Sequence, residues 1–201
     1  MKAINKHGFS LAELLIVLAL LAVILVAGIS FSLFPNKVFD NIIVRTNLEY
    51  GVKDILMKMA ADIRSATKPD LVTNAIVIYN TDGDVATSGN RIDIYSYNDN
   101  EMYYKYNKVS YKYEDGFLLR GSINGDTASN IKTAIVNNYY IIRSGIIYPS
   151  EGELFEDITV NSAENDIRTI SINLIAKDET KKFMTSQERP LIITSRLKSS
   201  H

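Results

Sequence analysis

The chain has no cysteine, no tryptophan and only two histidines, His7 and His201. Without cysteine there is no disulfide and no thiol chemistry. Histidine is the usual general base and a common metal ligand, and none lies between residues 8 and 200. A Ser-His-Asp hydrolase or a His-based zinc site therefore has almost no material to work with. No Gly-x-Ser-x-Gly nucleophile motif occurs. Charge of one sign is also lacking: 22 basic residues face 23 acidic ones, for a formal net charge of -1. Nothing global therefore draws nucleic acid or an acidic surface. The acidic clusters (Asp82-Gly83-Asp84; Asp99 with Glu101; Glu151, Glu153, Glu156 and Asp157) do not have the spacing of an EF-hand loop and read as solvated loops. We expect no catalytic residue, no metal and no cofactor.

Charge is missing in a second, local sense. From Leu14 to Phe34 no charged residue occurs, and the run reads LLIVLALLAVILVAGISFSLF. As a helix rising ~1.5 Å per residue, it spans a hydrocarbon core of about 30 Å. It is too long for the apolar core of a secretory signal peptide, and no Ala-x-Ala follows it. The short segment before it, MKAINKHG, carries Lys2 and Lys6, which favours this end inside, although Lys37 beyond the run weakens the bias. A plain signal anchor fits the length but leaves Glu13 unexplained. A carboxylate near the centre of a membrane helix costs ~2.5–3.5 kcal/mol, and less near the headgroups, where it is tolerated.

The residues around it are Gly8-Phe9-Ser10-Leu11-Ala12-Glu13-Leu14-Leu15. This stretch resembles the signature of type IV prepilins and pseudopilins: a basic leader ending in Gly, then Phe, a small residue, Leu, any residue, Glu, Leu and an apolar helix. The likeness covers about the first 35 residues. It implies cleavage between Gly8 and Phe9 by a membrane prepilin peptidase, and methylation of the new Phe9 amine. Glu13 lies one helical turn from that amine, so the two can meet within a chain or between neighbours. Burying an unpaired carboxylate in a filament core is costly, and pairing it with a neighbour's ammonium removes much of that cost. Glu13 thus reads as the residue that sets assembly register.

Beyond the apolar run, Pro35-Asn36 predicts a kink or a short unwound stretch. Leu48, Val52, Ile55, Met59, Ile63 and Ala66 then recur at steps of three and four, the pattern of an amphipathic helix, which Lys68-Pro69 ends. After Pro69 the period becomes two. Strands are expected over Ala75–Tyr79, Arg91–Tyr97, Met102–Tyr106, Val109–Tyr113, Phe117–Ile123, Val136–Arg143, Arg168–Ala176 and Leu191–Leu197, with a hairpin turn at Glu114-Asp115-Gly116. The fold class is α+β: a long N-terminal helix, half membrane-spanning and half amphipathic, packed on a C-terminal antiparallel head. The expected divisions are a leader over 1–8, a filament-core helix over 9–34, its amphipathic continuation over 35–68 and the head over 69–201.

A second likeness is to J-type minor pseudopilins and PilW-like minor pilins. It rests on Leu56 to Ala66, which includes Asp62-Ile63-Arg64, on Val109-Ser110-Tyr111-Lys112-Tyr113 with Leu118, Leu119 and Arg120, and on the closing Ile192–Leu197. The resemblance implies a minor pilin or pseudopilin, a structural subunit of a type IV pilus-like filament whose places include the tip or initiation complex, made in the cytoplasmic membrane with its head outside. Its partners would be other subunits, the prepilin peptidase and the membrane before assembly. Two rivals stand beside it. One is a filament-borne binding module, an adhesin or DNA-capturing tip; the other is a membrane-anchored domain of unrelated function. Lys105, Lys108 and Lys112 interleave with Tyr103, Tyr104, Tyr106, Tyr111 and Tyr113, a composition that can bind single-stranded nucleic acid. A half-solvated hairpin accounts for it too, and nucleic acid is not the expected partner.

Overall fold

The computed structural model describes residues 10–69, 74–98, 105–149, 152–159, 167–177, 184–185, 191–196 and 198–199. The chain divides into two compact units, Met1–Val44 and Arg45–His201, and helix α1 (Leu11–Arg64) contributes to both.

In the first unit α1 carries nothing but exposed apolar side chains from Leu14 to Ile29, apart from small residues. Leu11–Ser30 is long and apolar enough to cross a membrane. Its one hydroxyl among the described side chains, Ser30, donates to the Val26 carbonyl one turn back at 2.9 Å, so the helix satisfies it internally. The unwound stretch expected at Pro35-Asn36 does not occur, and α1 runs helical through both residues. Proline there removes one backbone hydrogen bond, and the long helical segments on either side hold the conformation across the gap.

In the second unit the predicted apolar stripe is the buried face of the helix. Leu48, Val52, Ile55, Met59, Ile63 and Ala66 are all buried, with Leu56 and Ala60 beside them. The helix stops at Arg64, earlier than Lys68-Pro69 requires. Thr67–Lys68 instead forms a short strand, β1.

The head then follows in strands. These are β2 (Ile76–Tyr79), β3 (Val85–Ala86), β4 (Ser88–Gly89), β5 (Arg91–Tyr97), β6 (Tyr106–Glu114) and β7 (Phe117–Gly125). A short helix, α2 (Ala128–Thr133), separates them from β8 (Tyr139–Arg143), β9 (Ile146–Ile147) and β10 (Phe155–Asp157). Last come β11 (Ile167–Ile172), β12 (Ile175–Lys177), β13 (Met184–Thr185), β14 (Leu191–Arg196) and β15 (Lys198–Ser199).

The main sheet has six antiparallel strands in the order β3-β2-β5-β6-β7-β8. A four-stranded sheet runs β14-β11-β10-β4, a three-stranded one β13-β12-β9, and β15 pairs in parallel with β1. The expected α+β class and the helix packed on an antiparallel head are what the structure shows. The turn between β6 and β7 is the one expected: Asp115 (φ 48°) and Gly116 (φ 84°) are both left-handed, the two-residue hairpin that Asp-Gly favours.

Several boundaries differ from expectation. The strand predicted over Val136–Arg143 begins only at Tyr139, and Val136 is buried without joining the ladder. Arg168–Ala176 breaks into β11 and β12, yet Ile170, Ile172 and Leu174 are fully buried in the alternation the sequence predicts. The Asn173 amide leaves the ladder to donate to the Leu154 carbonyl at 2.9 Å. Of Met102–Tyr106, residues 102–104 lie outside the described residues, and Tyr106 opens β6.

Candidate functional site

The first described residue, Ser10, caps α1. Its hydroxyl accepts from the Glu13 amide at 3.3 Å, and the Glu13 carboxylate accepts from the Ser10 amide at 3.0 Å. This reciprocal pair is a capping box, with two orphan donors of the first turn satisfied at once. A carboxylate in the first turn also faces the positive end of the helix dipole. Glu13 therefore has a role the charge argument alone misses. The signal was present in the sequence as Ser-x-x-Glu ahead of an apolar run. Gly8 and Phe9 lie outside the described residues.

In the head, residues from three separated stretches converge. Asp62, at the end of α1, accepts from the Tyr111 hydroxyl at 2.6 Å and from Arg120 Nη2 at 3.2 Å. Arg120 also donates through Nε to Tyr111 and through Nη1 to the Tyr140 hydroxyl. Asp62 belongs to the helix-end stretch singled out above, and Tyr111 and Arg120 to the hairpin stretch. Their meeting pins the helix to β6 and β7, so these residues secure the head's architecture.

On the opposite face of the main sheet, alternate residues of adjacent strands form one row. Register places Asp93 opposite Ser110, Ser110 opposite Gly121 and Gly121 opposite Tyr139. Asp93, only 1% exposed, accepts from Ser110 Oγ at 2.6 Å and from Arg91 Nε and Nη2 at 3.2 Å each. Lys108 Nζ reaches the same carboxylate at 3.0 Å and the Ala134 carbonyl at 3.1 Å. The Tyr139 hydroxyl donates to Ser110 Oγ at 2.8 Å, across Gly121. A Cβ on Gly121 would lie 2.4 Å from Val136 Cγ1 and 3.2 Å from the Tyr139 ring, so only glycine leaves this crossing open.

The basic and aromatic residues of β6 are thereby dispersed. Tyr111 is buried against the helix, Lys108 is committed to Asp93, and Lys112 pairs with Glu114 at 3.1 Å. Tyr103 and Tyr104 lie outside the described residues. Among the described residues, no three His, Cys, Asp or Glu side chains come together as a metal site.

Burial marks three tyrosines in and beside these constellations. Burial first, and the Asp93 charge second, push the Tyr95 phenol up to about 12. Tyr79 is raised for the same two reasons. Tyr111 is raised by burial and then by its hydrogen bond to Asp62. The folded head thus keeps phenol protons that an unfolded chain releases near pH 10. Their contribution to stability is complete below pH 10 and is lost as pH rises towards 12. In an alkaline titration followed at the tyrosinate absorbance band, these three of the 12 tyrosines should ionise last, together with loss of structure. A single step near pH 10 for all of them would contradict the burial described here.

Residues 4–29 match the family model of the prokaryotic N-terminal methylation motif. No curated protein and no solved structure matches the chain.

Proposed function

We propose, with the methylation motif over residues 4–29 as the premise, that the chain is the precursor of a minor filament subunit of the type IV pilin or pseudopilin kind. The motif itself is that of type IV pilin-like precursors, a structural family, and it implies processing by a prepilin peptidase and assembly with other subunits. The observation that carries the reading is the contrast within α1. Its first twenty residues expose an unbroken apolar surface with one carboxylate, Glu13, in the first turn. Such a surface needs lipid or like helices around it.

On this reading residues 1–8 are the leader and 9–34 the part of the helix that leaves the membrane for the filament core. Residues 35–68 carry the helix into the head over 69–201. The subunit waits as a single-pass protein of the cytoplasmic membrane with its head outside. Phe9 carries the methylated ammonium, and Glu13 sets axial register by pairing with such an ammonium on a neighbour. The convergence of Asp62, Tyr111 and Arg120 supports the narrower likeness to J-type and PilW-like minor subunits, because the stretches that carry the likeness meet in one structural tie.

Mass spectrometry of the protein recovered from membranes tests the processing step. The expected product begins at N-methylated Phe9. A product beginning at Met1, or beyond the apolar run, would overturn the proposal.

A further inference from the structure

The row built on Asp93 borders a cavity of about 300 Å³ on the face of the main sheet turned away from α1. That is the lower end of the size range of small-molecule sites. Its floor comes from β2, β5 and β6, and its wall from the end of α2 and the segment leading into β8. Three cations line it, Arg91, Lys108 and Lys132, against one carboxylate, Asp93.

That carboxylate is already saturated. Ser110, Lys108 and two nitrogens of Arg91 occupy its oxygens. Among the described residues, the cations are not saturated in return. Arg91 uses Nε and Nη2 on Asp93, and its guanidinium lies 3.8 Å from the centre of the Tyr79 ring, which fixes its plane. Lys108 has three donors and spends two, on Asp93 and on the Ala134 carbonyl. Lys132, in the last turn of α2, is exposed and adds a charge with no carboxylate of its own within the cavity. A buried, fully bonded carboxylate holding two cations in place costs desolvation that a purely structural face of a sheet does not need. Here it holds Arg91 and Lys108 at the border of the cavity.

We propose that this cavity binds a small hydroxyl-bearing anion, a sugar or polyol carrying a phosphate or carboxylate group. The oxyanion would sit against Arg91, Lys108 and Lys132, the arrangement that charge-assisted hydrogen bonds favour. The volume leaves room for more than the oxyanion, and Tyr79 and Tyr139 line the cavity as well. This site does not depend on the filament reading, whose premise is the methylation motif and the exposed apolar helix over Leu11–Ser30.

The test is calorimetric titration of the full chain in detergent micelles with four probes: glucose 6-phosphate, glucuronate, inorganic phosphate and glucose. Saturable binding of glucose 6-phosphate or glucuronate is expected, weaker at high salt, with glucose not binding. The better of the two anions identifies whether phosphate or carboxylate is the cognate group. Lys132→Glu changes an exposed side chain and should leave the fold intact by circular dichroism while weakening binding at least about tenfold. Lys132→Ala should give a smaller loss in the same direction. No saturable binding of either sugar anion at millimolar concentration would overturn the proposal. So would glucose binding as well as the anions, or an unchanged affinity in Lys132→Glu. Inorganic phosphate binding as tightly as glucose 6-phosphate would overturn the polyol part of the assignment.

Discussion

Replacing Asp93 by alanine should destabilise the head by about 3–5 kcal/mol, the usual consequence of removing one member of a buried ion pair. The loss does not come from missing attraction alone. Lys108, whose side chain is 6% exposed, would keep its charge in a place with little water, with only the Ala134 carbonyl and the more distant Tyr95 ring to face it. Ser110 would lose its 2.6 Å acceptor, and Arg91 would lose both of its bonds to the carboxylate. Arg91 can partly recover by hydration, because its side chain is 30% exposed. Lys108 cannot.

The measurement is urea unfolding of the full chain in detergent, followed by tyrosine fluorescence, since tryptophan is absent. A companion variant separates the buried charge from simple loss of volume. Asp93→Leu combined with Lys108→Met removes both charges and fills similar space, so it should recover most of the stability lost in Asp93→Ala. If Asp93→Ala costs less than about 1 kcal/mol, water reaches the cluster freely, and the row is ordinary surface.

Glu13→Ala should leave membrane insertion intact and reduce entry into filaments by roughly two to three orders of magnitude, the equilibrium equivalent of breaking a buried ion pair on one side. Removing the carboxylate makes the helix more apolar, so residence in lipid does not suffer. The capping box complicates this single variant, because alanine also deletes the bond from the Ser10 amide. Glu13→Gln resolves the two roles. Glutamine serves the capping box as glutamate does, but carries no charge. Ser10→Ala removes the hydroxyl half of the box and keeps the charge. If register depends on pairing with a neighbour's ammonium, Glu13→Gln fails as badly as Glu13→Ala, and Ser10→Ala assembles nearly as the wild type. If Glu13 matters only as a cap, Glu13→Gln assembles and Ser10→Ala is impaired. Incorporation into sheared filaments, at matched membrane levels and with normal leader cleavage, decides between them. Wild-type incorporation of Glu13→Ala would show that the carboxylate has no part in assembly.

These two residues illustrate how differently the two units of the chain can be read. The place of Glu13 in the first turn of the helix was legible because its setting is local: an apolar run long enough for a membrane, a carboxylate at its edge and a Gly-Phe junction four residues upstream all lie within one stretch. The capping box was legible in the same stretch, and only the emphasis on charge obscured it. Asp93 gave no such signal. In sequence it is one polar residue within Arg91-Ile92-Asp93-Ile94-Tyr95, indistinguishable from the solvated side of any half-buried strand. Its partners are set by register, and register is settled by which strands bury their apolar faces together.

Local sequence encodes the helix from Leu11, its buried stripe from Leu48 to Ala66, the Asp115-Gly116 hairpin and the alternation that buries Ile170, Ile172 and Leu174. Each depends on a period or on turn chemistry contained in a few consecutive residues. Long-range packing set the rest. It stopped α1 at Arg64 so that Thr67–Lys68 could pair with the distant Lys198–Ser199. It divided the strands of the described residues among four sheets, and it drew Val136 out of the β8 ladder to lie over Gly121. It also assembled Asp62 with Tyr111 and Arg120, and Asp93 with Lys108 and Tyr139. These choices belong to residues far apart in the chain, whose energies exist only once the packed faces bring them together, so no local pattern could encode them visibly.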